Sequence, residues 1–368
     1  MTASEKILRY PKSWFEKYKK FFPVLSFFGG FMWDSATLRR IDQLLDNMIL
    51  LLYLLLLGFF ILVINLVQQK RWQRPFWTRY QEWYPEIIQF LLGSLFSAYV
   101  VYYFKSASMT KTAIFFLLLV VLLIANEFLK DRLTNLYLQL VLFFFCAFSF
   151  FTFFLPVVFH RMNVWLFLLS GVASLALTAL LFFILYKTKG FADFRVLRQA
   201  GQWTLGLYLF LNLAYFFNWI PPVPLSLKYA GIFHRVKHVG DDYWLTFRKP
   251  KWYQFWKNSD QPFRYAPGDT AYCFASIFAP ARLQKRVYQK WQFYSPKSGE
   301  YEVRTRAGYD LYGGRDAGYR GYTYKRSIEP GLWRIDLETE DGRLLGRLKF
   351  RIIAVQDTLA AEWITSVR

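Results

Sequence analysis

The sequence predicts an α-helical polytopic membrane bundle of about seven spans, the first one short, followed by an all-β, immunoglobulin-like sandwich domain. Residues 47–220 hold six apolar stretches with few charges, and residues 221–368 break into short aromatic and β-branched runs between turn residues. Hydrophobic residues make up 55% and aromatics 21% of the 368, against 19% charged. That balance excludes a wholly soluble globule and wholesale disorder. Basic residues outnumber acids 46 to 25, and their placement orients the helices.

A hydrocarbon core about 30 Å thick takes roughly 20 apolar residues as a helix. Runs of that kind cover about 47–67, 87–104, 112–129, 136–158, 163–186 and 202–220, and each must be helical because backbone amides in lipid find no water. A shorter candidate, Phe21 to Trp33 within residues 21–36, contains Pro23 and Gly29–Gly30 and follows Lys17, Lys19 and Lys20. Phe31-Met32-Trp33 offers no small-residue cleavage site, so the segment is expected to stay attached.

Basic residues gather on cytoplasmic loops. The gaps 68–86 (Lys70, Arg71, Arg74, Arg79) and 187–201 (Lys187, Lys189, Arg195, Arg198) share a face with the lysine-rich residues 1–20 only if 21–36 crosses as a first span. The expected topology is therefore seven spans, with the N-terminus cytoplasmic and residues 221–368 on the opposite side of the membrane. Between the first two spans, Leu38, Ile41, Leu44 and Leu45 recur at helical spacing behind Asp34 or Ser35 as a cap, an interfacial turn. Trp72, Trp77, Trp83 and Tyr84 sit among arginines, which reads as a loop lying at the headgroups rather than a nucleic-acid surface.

Ionisable groups inside spans mark transport or catalysis. Here Glu127 stands alone, within a turn of Lys130, and reads as a boundary residue. Asn65, Gln89, Gln139, Asn212 and Asn218 are expected to hydrogen-bond between helices, and Ser170, Gly171, Ala173 and Ser174 to let helices approach. Cys146 falls in a span and Cys273 in a strand, so no internal disulfide is expected.

The C-terminal region opens on Pro221-Pro222-Val223-Pro224, a stiff linker. Seven strands are expected at Tyr243–Phe247, Ala271–Phe278, Arg286–Tyr294, Tyr301–Ala307, Tyr322–Ile328, Leu332–Thr339 and Leu344–Ile353. Asp341-Gly342 predicts a type I′ hairpin between the last two. Trp333, Ile335 and Leu337 should pack, while Arg334, Asp336 and Glu338 should meet water.

Pro221 to Lys228, Ala230 to His234, Val287-Tyr288-Gln289-Lys290-Trp291, Gly331 to Asp336 and Asp341 to Gly346 together resemble the bacterial membrane-protein family DUF2914, a domain of unknown function. The similarity extends loosely over the spans, including Gly30 and Asp34. The resemblance implies a bacterial envelope protein, which makes the expected membrane the inner one and residues 221–368 periplasmic, and it supplies no activity. The family pattern has a histidine two residues before the strand tryptophan, where this chain has Gln289.

No constellation of catalytic residues stands out. His234 and His238 have the i, i+4 spacing of a helical zinc site, but a strand would set them roughly 13 Å apart, and no third ligand is evident. Gly313 to Gly321 resembles a phosphate loop only in its glycines and reads as a strand connection. Asp310 and Asp316 flank it as a possible acid–base pair. Neither a cofactor nor a metal is expected. Tyrosines interleave with basic residues near that connection, and Tyr312, Arg315, Tyr319, Arg320, Tyr322 and Tyr324 are the candidate ligand-binding set, since phenols supply rigid contact area and guanidinium groups grip carboxylate or phosphate. Residues 221–368 carry 25 Lys/Arg against 15 Asp/Glu. Besides the bilayer, the expected partners are an anionic envelope glycan, a lipid headgroup or a protein; nucleic acid is not expected. These features favour a non-enzymatic binding or envelope-assembly role. A membrane enzyme acting on lipid or glycan is the alternative, ahead of a transporter.

Overall fold

A computed structural model describes residues 32, 43–106, 113–128, 132–191, 193–221, 223–254, 257–315, 317–356 and 362–368. The expected first span at 21–36 and the interfacial turn after it lie outside the described residues, apart from Met32 and Gln43 to Leu45. The described chain comprises helices followed by a β-rich region, as expected at that level.

Seven α-helices are described: α1 Leu44–Gln68, α2 Pro75–Arg79, α3 Tyr84–Ser106, α4 Ala113–Phe128, α5 Leu136–Phe159, α6 Val164–Thr188 and α7 Phe194–Phe216. Four helical stretches, Leu44–Gln68, Gln81–Phe104, Leu136–Phe159 and Val164–Thr188, are long and apolar enough to cross a membrane. Ile114–Asn126 is apolar but shorter. The span expected at 202–220 is instead a helix that starts eight residues earlier, bringing Arg195, Arg198 and Gln199 into its first turns. Helix starts follow local chemistry: Pro75 opens α2, and the side chains of Asn135, Asn163 and Asp193 accept from Tyr137 N, Leu166 N and Arg195 N at 2.8–3.0 Å.

The chain forms two compact units. One takes in the described residues of Met1–Tyr102, Leu117–Phe150 and Ala173–Tyr208. Here polar side chains stitch helices together as expected. Asn65 Nδ2 donates to Gln139 Oε1 at 2.6 Å, Asn126 Nδ2 to the Gln89 carbonyl at 2.9 Å, and Tyr99 to the Cys146 carbonyl at 2.9 Å. The other unit contains Tyr103–Phe116, Phe151–Val172 and Leu209–Arg368, so the helix ends in those segments pack as one body with the β region. Within it the buried Ser170 hydroxyl bonds the Leu166 and Phe151 carbonyls at 2.7 and 3.0 Å, the packing role expected of α6's small residues.

Eleven strands are described where seven were expected: β1 Ser226–Phe233, β2 Arg235–Val239, β3 Asp242–Arg248, β4 Phe263–Tyr265, β5 Thr270–Phe278, β6 Gln284–Ser295, β7 Glu300–Tyr312, β8 Tyr319–Arg326, β9 Gly331–Thr339, β10 Leu344–Ala354 and β11 Trp363–Val367. They form three sheets, ordered β1-β5-β8, β4-β10-β9-β6-β7 and β11-β3-β2. Trp291, Trp333, Ile335 and Phe350 of the five-stranded sheet share a core with Ile232 and Cys273 of the first, which is the expected sandwich. The alternate residues Phe233 and Phe274 point the other way, onto Val236, Leu245 and Phe247 of the third sheet. The β1-β5-β8 sheet is therefore a middle layer, buried over part of both faces.

Two local expectations are corrected. The β9–β10 turn is not type I′, which requires positive φ at both central residues; only Gly342 has it, at +73°. Thr339 N donates to the Arg343 carbonyl and Gly342 N to the Thr339 carbonyl, both at 2.9 Å, closing a three-residue loop with the glycine as its left-handed residue. The second correction concerns Asp336 and Glu338, which are buried rather than wet. Asp336 accepts from Arg347 at 2.6 and 2.8 Å and from Gln292 at 3.0 Å, and Glu338 accepts from Arg306 at 3.0 Å.

Candidate functional site

The six candidate residues straddle β8, the edge strand of the middle sheet, and the strand's two-residue period divides them. Tyr319 turns toward the five-stranded sheet, its ring 6.2 Å from that of Tyr309. Tyr312 closes β7 with its ring 6.1 Å from Tyr319, and the exposed Arg315 lies 6.0 Å from the same ring. Arg320, Tyr322 and Tyr324 take the opposite face. The single platform expected from sequence is two surfaces.

On the second surface, Tyr322 and Tyr324 are exposed and flank Tyr272 of β5 at 6.0 and 5.7 Å. Tyr243 of β3 lies 6.2 Å from Tyr322 and 4.5 Å from His238. Burial raises the Tyr243 phenol above its ordinary range, and the Arg320 cation partly counters this. Arg320 donates to the Asp241 carbonyl at 2.6 Å and to Asp242 at 3.4 Å, with its guanidinium 5.6 Å from the Tyr243 ring. It is thereby tied to the β2–β3 turn and holds the platform in place, leaving Arg326, 5.7 Å from the Tyr324 ring, as the cation beside the open rings.

Sequence reading missed a buried polar chain behind β8. Trp291 Nε1 donates to the Thr323 hydroxyl at 2.9 Å, and that hydroxyl donates to Gln289 Oε1 at 2.6 Å. Gln289 Nε2 reaches the Tyr309 hydroxyl at 3.4 Å. Gln289 is thus a core connector. Its only sequence signal was an amide among alternating apolar residues.

The remaining candidates take structural roles. His234 uses both ring nitrogens, Nδ1 on Asp260 at 2.7 Å and Nε2 on the Arg264 carbonyl at 2.8 Å, and it stacks on Phe263. His238 lies four residues along an extended strand, so the two rings cannot share a metal. No group of three His, Cys, Asp or Glu side chains gathers among the described residues. Asp310 is exposed and faces Arg286 at 3.9 Å, while Asp316 and the side chain of Glu127 lie outside the described residues. Cys146 and Cys273 are separate, buried free thiols. Gly313 and Gly314 tie the β7–β8 connection to the Leu283 and Ala279 carbonyls, and that connection leads into a strand rather than a helix, as expected.

Among solved structures, an immunoglobulin-like protein of Pseudomonas aeruginosa is similar at 14% identity and a TM-score of 0.20, over 32% of this chain and 97% of that one. A β-glucosidase of Listeria innocua matches at 10% identity and 0.19, over 30% of this chain and only 16% of the enzyme. The Pseudomonas fluorescens alkylpurine DNA glycosylase AlkC matches at 10% identity and 0.22, over 86% of this chain and 100% of that one. Likenesses at such scores carry no argument about fold or activity. No curated protein matches. A family model described as protein of unknown function (DUF2914) matches residues 284–352. That stretch, running from the start of β6 into β10 and holding Gln289, Trp291 and the β9–β10 hairpin, is the segment of this chain that the family model matches.

Proposed function

We propose that this is a bacterial inner-membrane binding protein whose β domain holds an acidic envelope glycan on the face formed by Tyr322 and Tyr324. The observation that carries the reading is their side-by-side exposure at a sheet edge, backed by Tyr272 and Tyr243 and flanked by Arg326. Rigid phenol rings stack on the apolar faces of sugar rings at low entropic cost, and a guanidinium group recognises carboxylate. Positive-inside sorting supports a periplasmic address, where such glycans occur.

The test is titration of the full-length protein in detergent with a uronic-acid oligosaccharide and its neutral counterpart. Two stacked rings at about 1 kcal/mol each predict an affinity loss of about thirtyfold for Y322A/Y324A. R326Q should lower affinity for the acidic chain alone. Equal binding by wild type and the double variant would remove this reading.

A further inference from the structure

One end of the β domain is seated on helix ends. Lys285 Nζ donates to the Met162 carbonyl at 3.0 Å, in the turn joining α5 to α6, and to Glu340 and Asp341 at 2.7 and 2.8 Å. The buried Arg343 guanidinium lies 3.3 Å from the Tyr215 ring near the end of α7. Because α5 and α6 are both long and apolar enough to cross a bilayer, the turn between them lies at the end of a span. Trp165, 78% exposed in the first turn of α6, and Trp219, just past α7, are residues that favour headgroup depth.

A ring of exposed cations surrounds this seat. Arg161 precedes Met162. Arg282 and Arg315 are brought together by Gly313 N on the Leu283 carbonyl and Gly314 N on the Ala279 carbonyl. Arg286 adjoins the seat through its carbonyl, which accepts from Glu340 N at 3.1 Å. Lys228 lies over Phe278, whose backbone pairs with Ser226 at the start of β1. The nearby acids are engaged: Glu340 and Asp341 with Lys285, and Asp310 with Arg286. Among the described residues no carboxylate pairs with Arg161, Lys228, Arg282 or Arg315.

We infer that this rim binds the phosphate headgroups of anionic lipids in the leaflet where α5, α6 and α7 end. Charge complementarity and the rim's continuity with the helix ends argue for lipid as the occupant, and the inference does not depend on the glycan reading. The molecule supplies its own control. Lys251, Trp252 and Tyr253 form a second basic-aromatic cluster beyond the far end of β3, and the eight residues of β1 separate the two ends by roughly 25 Å, beyond a Debye length of about 10 Å.

The experiment reconstitutes the full chain in phosphatidylcholine vesicles containing phosphatidylglycerol, extracts it, and counts retained lipids by native mass spectrometry. Wild type should retain phosphatidylglycerol preferentially. The variant R282Q/R286Q/R315Q should lose that preference by on the order of fivefold for each charge removed. The triple lysine variant should keep it, showing that charge rather than folding is read, and K251Q should match wild type. Equal retention of both lipids by wild type, an unchanged glutamine triple, or an equal loss in K251Q would each overturn the inference.

Discussion

Asp336 illustrates how a charge buried between strands becomes a stability determinant. Burial pushes its carboxyl upward, yet the hydrogen bonds from Arg347 and Gln292, with the Arg347 and Arg334 charges, more than offset this and leave it below the ordinary carboxylate range. A group whose folded pKa is depressed stabilises the fold above its unfolded value, about 3.9 for aspartate, and that stabilisation is lost as pH falls through the folded value. Thermal melts of the full-length protein should therefore drop more steeply below about pH 4 in wild type than in D336N. Near pH 7, D336N should cost about 2 kcal/mol, because Arg347 loses a charge-assisted partner. Strand alternation in the sequence correctly set Asp336 opposite Trp333, but not its burial. Its partners come from neighbouring strands, 11 residues away for Arg347 and 44 for Gln292, and no local pattern encodes that pairing. Gln289 was opaque for the same reason, since its partners Tyr309 and Thr323 arrive on two other strands.

Elements with strong alternation or long apolar runs were legible, and those shaped by tertiary contact were not. β5, β6, β9 and β10 fall where aromatic and β-branched residues recur. β1 was missed because a bulge between Leu227 and Tyr229 interrupts its alternation, β4 because three residues carry no period, and β11 because its residues are largely exposed. The candidate set was split by the same two-residue period, which contiguous tyrosines and arginines conceal until β8 is placed between two sheets. Connections carry stability of two kinds, and two glycines separate them. At Gly342, φ of +73° in open space means that alanine meets only backbone strain, about 1 kcal/mol. At Gly313 a Cβ would collide with the Pro280 carbonyl oxygen, so the β7–β8 connection must move away from the 279–283 loop. G313A should therefore destabilise more than G342A, by about 2–3 kcal/mol, with near-ultraviolet circular dichroism melts as the measurement.

For the whole chain, orientation is the property on which the functional readings converge. Helix ends at Tyr103–Phe116, Phe151–Val172 and from Leu209 onward share a compact unit with the β domain. The basic connections before α3 and α7, with Lys70, Arg71, Arg74, Lys189 and Arg195, belong to the other unit. The proposed topology puts those connections in the cytoplasm, and the basic rim of the β domain does not argue against it, because large domains translocate largely regardless of charge. On that proposal residue 43 starts α1 from the periplasmic face, and Lys17, Lys19 and Lys20 reach the cytoplasm only if residues 21–36 cross. Two fusions separate these steps. Alkaline phosphatase joined after Arg368 should be active, and an N-terminal tag should resist protease added to spheroplasts. An inactive phosphatase would overturn the periplasmic address and the glycan reading with it. Active phosphatase with a protease-sensitive N-terminal tag would delete the first span alone and leave the β domain outside.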